Sequence, residues 1–164
     1  MAERPLLLVD VDGVISLFGP GVDHGRCVAA LVDGIPHFLS RTAADLLLRL
    51  ATAFECAWCT GWEDRADAHL PHLLGLPPGW PHVTFRDRPE DAAHWKLRGI
   101  DAFAGRDRPV AWIDDHHDAR CRTWAAERPG ATLLITTDPA QGLLEAHAES
   151  LEAWAAAQAP AAPA

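Results

Sequence analysis

Lysine is almost missing from this sequence. Lys96 is the only lysine among the 14 lysine and arginine residues, so arginine supplies positive charge nearly everywhere else. An ammonium is a compact point charge whereas a guanidinium is a planar fork, and the two are not interchangeable where compact charge is needed. Lys96 is therefore a candidate for a specific role.

Cysteine is also scarce. Cys27, Cys56, Cys59 and Cys121 are too few and too scattered for a disulfide framework in a chain of 164 residues. Cys56 and Cys59 form a C-x-x-C pair, which is compatible with a metal or redox site, but the sequence has no second pair. The two lie in a predicted strand, where positions three apart point to opposite faces. We therefore expect buried structural cysteines.

Excess positive charge and long apolar runs are missing too. The formal net charge of -9 disfavours non-specific binding to nucleic acids or anionic membranes. No apolar run approaches the roughly 18 residues that cross a bilayer. Residues 1–5 contain no basic region leading into a signal-peptide core. We expect a cytoplasmic protein with no membrane partner. A nucleic-acid partner is possible, but the net charge does not support it.

Short apolar runs alternate with helix-like segments along the chain. The strand-like runs cover residues 6–9, 54–59, 82–85, 110–113 and 131–136. The helix-like segments cover residues 42–52, 62–74, 89–103, 118–127 and 139–157, and Pro71 is expected to kink or end the second of them. This alternation predicts an α/β fold with a Rossmann-like parallel sheet and helices on both faces. We expect one domain over residues 1–157 and an Ala/Pro-rich tail over residues 158–164.

A different pattern follows the first predicted strand. Two β-capable runs, Cys27–Val32 and Ile35–Ser40, are separated only by Asp33 and Gly34. An Asp-Gly pair between such runs is a strong hairpin signal. The sequence therefore predicts a β-hairpin flap over residues 19–40, beside the end of the first strand.

Polar side chains follow three of the predicted core strands. They are Asp10, Asp12, Thr60, Asp114 and Asp115. The carboxyl ends of parallel strands meet at one edge of a sheet, where α/β proteins bind ligands. Lys96, in the helix before the third of these strands, can reach the same edge. Clustered carboxylate oxygens suit Mg²⁺, which leaves room for waters and a phosphate.

The ordered set resembles the four motifs of the haloacid dehalogenase (HAD) superfamily. Residues 10–14 (DVDGV) match its D-x-D-x-[T/V] motif, and Gly13 allows the turn that this motif makes. Thr60 resembles the Ser/Thr of the second motif, and Lys96 the lone lysine of the third. The pair Asp114-Asp115 resembles the paired acids of the fourth. Each motif is weak alone, whereas the ordered set is specific and covers nearly the whole chain.

The resemblance implies phosphoryl transfer through an aspartyl-phosphate. Asp10 would be the nucleophile, and Asp12 would protonate the leaving oxygen and later activate the hydrolytic water. Thr60 would donate a hydrogen bond to the phosphoryl group, which Gly61 would also help to bind. Lys96 would bind this group too and offset its charge.

The resemblance also implies a Mg²⁺ site. Its ligands would be the Asp10 side chain, the Asp12 backbone carbonyl and one acid of the fourth motif. Asp115 is preferred over Asp114, because the acid occupies the second position in the family's Gly-Asp variant, and Asp118 is a candidate near the metal. Dehalogenases of the family lack the second acid of the first motif, so Asp12 favours a phosphomonoester hydrolase.

The substrate class is less constrained. Neither interval between motifs is long enough for a full cap domain, so the chain resembles a capless member of the family. An open site suits a phosphoprotein or a nucleic-acid end, while small phosphoesters, including nucleotides, need the flap or a partner subunit to cover them. Trp62 and Trp80 are candidates either for stacking on a base or for packing.

Other interpretations stay open. His69-x-x-His72 and His116-His117 are candidates for a transition-metal site in a non-catalytic or sensing protein, although neither has the H-E-x-x-H spacing. A catalytically silent HAD fold that serves as an interaction module is the third possibility, but such a protein has no need of the motif residues.

Each motif residue also has an ordinary structural interpretation. Thr60 can cap the helix after it. Lys96 can be a solvated helix charge, and Asp114-Asp115 a turn at the end of a strand. If the chain has no active site, all of these ordinary interpretations must hold at once, and the order of the motifs must be a coincidence.

Overall fold

The computed structural model describes residues 3–85 and 94–158. The strands in these ranges are β1 (Leu6–Val9), β2 (Ser16–Leu17), β3 (Cys27–Val32), β4 (Ile35–Ser40), β5 (Glu55–Trp58), β6 (Val110–Asp114) and β7 (Thr132–Thr136). The helices are α1 (Arg41–Leu50), α2 (Asp64–Leu74), α3 (Leu97–Ala104), α4 (Ala119–Glu127) and α5 (Glu145–Gln158), and a short 3-10 turn spans His24–Arg26.

The predicted α/β fold is confirmed. Four strands form one parallel sheet in the order β5-β1-β6-β7, with β1 paired to both β5 and β6. All four residues of β1 are buried. A strand that is covered on both faces has no solvent side, which explains why it reads as a continuous apolar run.

Helices cover both faces of this sheet. Leu7 and Val9 of β1 belong to one apolar core, to which α1, α2 and α5 contribute, while Leu6 and Leu8 belong to a second core with α3 and α4. Successive side chains of a strand point to opposite faces, so β1 divides its residues between the two cores. The sheet therefore lies between two helical layers.

The predicted hairpin flap is confirmed as well. Strands β3 and β4 pair antiparallel across Asp33 and Gly34, whose φ angles of 50° and 80° are both positive. Positive φ at both central residues is what a two-residue type I′ hairpin turn requires. Strand β2 pairs with β4, giving a small sheet in the order β2-β4-β3. Arg65 of α2 forms an ion pair with Asp33 and thereby holds the tip of the hairpin against the helical layer.

Several predicted boundaries were wrong. Helix α5 begins at Glu145 rather than at residue 139, because the preceding residues form a turn in which the Gly142 N–H donates to the Asp138 carbonyl over 2.7 Å. Helix α2 begins at Asp64 rather than at residue 62, whereas its predicted end at Leu74 is confirmed, and Pro71 lies inside the helix without ending it.

Two more predicted elements differ from the observed ones. Residues 82–85 make only an isolated bridge, between His82 and Trp58, instead of a strand. The predicted helix over residues 89–103 starts among residues that lie outside the described ranges. Its described part is α3, which begins at Leu97.

The predicted burial is confirmed for Cys56, Cys59 and Cys121, whereas Cys27 is only partly buried. All four are free thiols, and Cys56 and Cys59 lie in the two different cores, on opposite faces of the sheet. Burial raises the pKa of the Cys56 thiol to about 12, which disfavours the reactive thiolate. Among the described helices, none is long and apolar enough to cross a membrane.

Candidate active site

The register of the central strands brings two acidic segments together. Val9 of β1 lies opposite Ile113 of β6, and the Asp10 N–H donates to the Ile113 carbonyl over 3.0 Å. Asp10 therefore follows β1 and Asp114 ends the neighbouring strand β6, at the same edge of the sheet. A cavity of about 290 Å³ opens at this edge. It is lined by Asp10, Asp12, Gly61, His94, Trp95, Lys96, Asp114, Asp115 and His116.

Lys96 joins the two acidic segments. Its Nζ lies 3.1 Å from Asp10 Oδ1 and 2.6 Å from Asp114 Oδ2. The three side chains are almost completely buried, and only 3% of Lys96 is exposed. The interpretation of Lys96 as a solvated charge was therefore wrong. Lys96 was expected at the start or middle of a helix, and it lies at the start: it is the N-cap of α3, and the Ile100 N–H donates to its carbonyl over 2.9 Å.

Burial and charge act in opposite directions on this trio. Burial raises the pKa of Asp10, the ammonium of Lys96 lowers it and the negative charge of Asp114 raises it, and together they bring the pKa to about 7. Burial alone would lower the pKa of Lys96, but its carboxylate neighbours outweigh burial and raise it. The lysine therefore keeps its charge, and the ionised form of Asp10 depends on the cation beside it.

Asp12 is held by an aromatic residue that the sequence did not identify for this role. Its side chain is exposed, and Oδ2 accepts a hydrogen bond from Trp62 Nε1 over 3.0 Å. The Trp62 ring is 8% exposed and packs edge-on against His37 of the flap, with ring centroids 4.8 Å apart. His37 Nδ1 shares a 2.7 Å hydrogen bond with Ser16 Oγ. The flap therefore supports the side chain that orients Asp12.

The two tryptophans offered for base stacking are packing residues. Trp62 is buried, and Trp80 is partly buried against Trp58, with ring centroids 4.9 Å apart. Of the two interpretations that the sequence left open for Trp62, packing fits its burial, because base stacking needs an exposed ring face. The sequence signal for the actual role of Trp62 was its place directly after Thr60-Gly61.

Thr60 and Gly61 lie in the loop that follows β5. Thr60 is 1% exposed and does not line the cavity, whereas Gly61 does. Thr60 Oγ1 accepts the Trp62 N–H over 3.2 Å, and its carbonyl accepts the Glu63 N–H over 3.1 Å. Thr60 thus closes the turn before α2 rather than capping the helix itself, whose N-terminal cap is Glu63.

Gly13 lets the first acidic loop approach the second. Its φ is +77°, and a Cβ at this position would lie 2.5 Å from the side chain of Asp115. A residue with a side chain would therefore meet both backbone strain and a steric clash. The Thr137 hydroxyl donates to the Gly13 carbonyl over 2.8 Å and fixes the loop from the other side.

Three carboxylates form a group that can hold a cation. Oxygen atoms of Asp10, Asp114 and Asp115 lie within 4.8 Å of one another. Within residues 3–85 and 94–158, no other cluster of three or more histidine, cysteine or acidic side chains has this geometry. The predicted contribution of Asp118 is not seen, because its Oδ1 accepts the Cys121 N–H over 2.9 Å and so caps α4.

The histidines contribute in a way that the sequence did not indicate. His94, whose only signal was its place two residues before Lys96, lines the cavity with His116, and their ring centroids are 6.0 Å apart. Burial lowers the pKa of His94, which favours the neutral ring. His117 Nδ1 and Thr136 Oγ1 are hydrogen-bonded over 2.8 Å, away from the cavity lining. The pairs proposed as metal ligands therefore do not form a metal cluster in the described chain.

Comparison of the chain with protein-family models and with curated proteins finds no match. The fold and the site define an α/β protein with an acidic cavity at the carboxyl edge of its parallel sheet, which is where such sheets bind ligands. The function has to be inferred from the residues of that cavity.

Proposed function

We propose that this protein is a Mg²⁺-dependent phosphomonoester hydrolase of the HAD type that works through an aspartyl-phosphate on Asp10. The observation that carries the proposal is the pair of buried contacts that Lys96 makes with Asp10 and Asp114, in a cavity that Asp12 also lines. This reaction needs two carboxylates: a nucleophile held beside a cation, which Asp10 provides, and a nearby exposed acid, which Asp12 provides. As part of the proposal, the protein acts in the cytoplasm.

Asp10 is suited to nucleophilic attack. In the first step a carboxylate oxygen of Asp10 forms a bond to phosphorus, and the bond between phosphorus and the ester oxygen breaks. Lys96, 3.1 Å from Asp10 Oδ1, stabilises the ionised nucleophile and the negative charge of the transferring group. In the second step water attacks the aspartyl-phosphate, which releases inorganic phosphate and restores Asp10.

Asp12 is suited to move the protons of both steps. In its protonated form it gives a proton to the leaving alkoxide, and in its ionised form it then takes a proton from the attacking water. Its carboxyl is exposed, whereas that of Asp10 is almost completely buried. The hydrogen bond from Trp62 Nε1 orients one oxygen and leaves the other for the substrate.

The donor set fits Mg²⁺. Asp10, Asp114 and Asp115 provide hard oxygen ligands around one point, and Lys96 is the only lysine or arginine among the described residues of the cavity. The Asp10 and Asp115 side chains would hold the ion, together with the Asp12 carbonyl, while Asp114 already contacts Lys96. A bound Mg²⁺ supplies positive charge that stabilises and orients the phosphoryl oxygens.

Phosphate release from a panel of phosphomonoesters tests the proposal. The panel should include sugar phosphates, nucleotides, phosphopeptides and phosphorylated ends of DNA and RNA. We expect release that requires Mg²⁺ and stops when the metal is chelated, because four carboxylates and one ammonium leave the cavity short of positive charge. A chain that releases no phosphate from any member would instead support a silent interaction module.

Trp62→Phe is expected to lower kcat for alkyl phosphates about tenfold, the equivalent of one hydrogen bond of about 1.4 kcal/mol. The variant keeps an aromatic ring but removes the donor to Asp12 Oδ2. Aryl phosphates should be affected less, because a phenolate leaves without a proton. The measurement is kcat against leaving-group acidity for both proteins.

Trp80→Phe is the matched control for this variant. Trp80 is a partly buried tryptophan that does not line the cavity, so kcat should stay within about twofold of the wild type for both ester classes. An equal loss for alkyl and aryl phosphates in Trp62→Phe would show that Trp62 supports packing rather than proton transfer.

A further inference from the structure

A second cavity, of about 360 Å³, lies on the flap side of Asp12. Its lining includes Asp12, Phe18, His24, His37 and Phe38. Asp12 is the one residue that lines both this cavity and the acidic cavity. The volume is at the lower end of the roughly 300–1,000 Å³ that is typical of small-molecule sites. We call it the flap cavity.

The walls of the flap cavity are apolar and aromatic. Phe18 is 50% exposed and Phe38 is 37% exposed, so the cavity keeps two phenyl rings in contact with water. The rings of His24 and Phe38 pack edge-on, with centroids 4.3 Å apart. Large apolar side chains that a fold leaves open to solvent in a concave site are suited to contact with an apolar ligand.

The charge of the flap cavity is unsuited to anions. None of its lining residues is a lysine or an arginine, and Asp12 contributes a carboxyl at the boundary with the acidic cavity. If the ligand carried a second phosphate or a carboxylate, that anion would lie near the Asp12 carboxyl and would have no lysine or arginine to pair with. The whole chain also carries a formal net charge of -9.

The position of Asp12 relates this cavity to the reaction. The general acid must contact the ester oxygen, which joins the phosphoryl group to the alcohol part of the substrate. With the phosphoryl group beside Asp10 and the ester oxygen beside Asp12, the alcohol part extends toward the cavity on the other side of Asp12. That side is the flap cavity.

We propose that the flap cavity is the leaving-group site and that it selects phosphomonoesters of uncharged alcohols with an aromatic or similarly bulky apolar group. This inference rests on the proposed hydrolase function. Phe18 and Phe38 are its specificity-determining residues. The apolar group of the alcohol part covers the rings of Phe18 and Phe38. The flap then contacts the substrate as a cap domain would.

The test compares 2-phenylethyl phosphate with ethyl phosphate, two alkyl esters whose alcohols have closely similar acidity. We expect kcat/KM to be at least about tenfold higher for the phenylethyl ester, since differences in one apolar group change this ratio by about 10- to 200-fold. Phe38→Ala should remove most of the preference, because it lowers kcat/KM for the phenylethyl ester by about tenfold and lowers it much less for ethyl phosphate. Leu31→Ala, which truncates an exposed apolar residue of the same hairpin outside the cavity, should change neither.

Binding separates this inference from the hydrolase function. The two corresponding phosphonates, which cannot be hydrolysed, are titrated into the wild type and into Phe38→Ala. In one outcome the wild type binds 2-phenylethylphosphonate more tightly, in a way that depends on Phe38, and yet hydrolyses neither ester. That result would uphold the apolar binding site and reject the hydrolase function. Equal binding of both phosphonates would overturn the leaving-group site whether or not the esters are hydrolysed.

Discussion

Asp10→Asn is expected to reduce phosphate release by about four orders of magnitude or more, the scale of loss seen when a catalytic nucleophile is removed. An amide keeps the size of the side chain but cannot form the acyl-phosphate bond. The measurement is steady-state hydrolysis with saturating Mg²⁺, together with trapping of labelled phosphoenzyme after acid quench. The wild type should retain label that hydroxylamine removes, and the variant should retain none.

The fold of Asp10→Asn is expected to survive, so the loss can be assigned to chemistry. Lys96 keeps its 2.6 Å contact with Asp114, and the neutral amide removes one negative charge from a buried site. Asp45→Asn is the matched control, because Asp45 is an exposed acid on α1 that does not line the cavity. A residual rate above about 1% of wild type in Asp10→Asn would rule out Asp10 as the nucleophile, since other groups would then account for the reaction.

The sheet and the flap could be predicted because their signals are local. A buried parallel strand such as β1 reads as a continuous apolar run, and Asp33-Gly34 has the two positive φ angles of a tight hairpin. The meeting of Asp10 with Asp114 follows from strand order alone, since both lie one step beyond paired residues. These features need no knowledge of side-chain packing.

The rest of the candidate site depends on how loops pass one another. The contact of Trp62 with Asp12 joins residues that are 50 positions apart, and it depends on rotamers that no sequence period encodes. His94 and the flap cavity were missed for the same reason. The helix that carries Lys96 was predicted to open at Pro89-Glu90-Asp91, which resembles a helix start, whereas in the structure α3 begins at Leu97 and Lys96 is its N-cap.

Lys96→Met is expected to destabilise the protein by about 3–5 kcal/mol, the usual cost of leaving a buried charge without its partner. The variant keeps most of the side-chain volume but removes the ammonium that contacts Asp10 and Asp114. Guanidinium unfolding with the metal chelated measures the effect. Arg120→Met, which removes an exposed cation on α4, is the matched control and should change stability by no more than about 0.5 kcal/mol.

The cost of Lys96→Met should also depend on pH in a defined direction. The pKa of Asp10 is about 3.9 in the unfolded chain and about 7 in the folded wild type, so folding holds a proton on this carboxyl up to pH 7. Without the ammonium the folded pKa rises further, and the variant holds that proton above pH 7 as well. The difference in stability should therefore grow between pH 7 and 9, by at most about 1.4 kcal/mol per pH unit.

A second substitution distinguishes stranded charge from lost packing as the cause. In Lys96→Met with Asp114→Asn, one of the two carboxylates left without a cation is neutralised, so the double variant should be more stable than Lys96→Met alone. If the loss came from packing of the lysine stem, removing a second polar contact would add to it, and the double variant would be less stable. Chemical unfolding of the four proteins of this cycle separates these outcomes, because the coupling between residues in direct contact is about 0.5–3 kcal/mol.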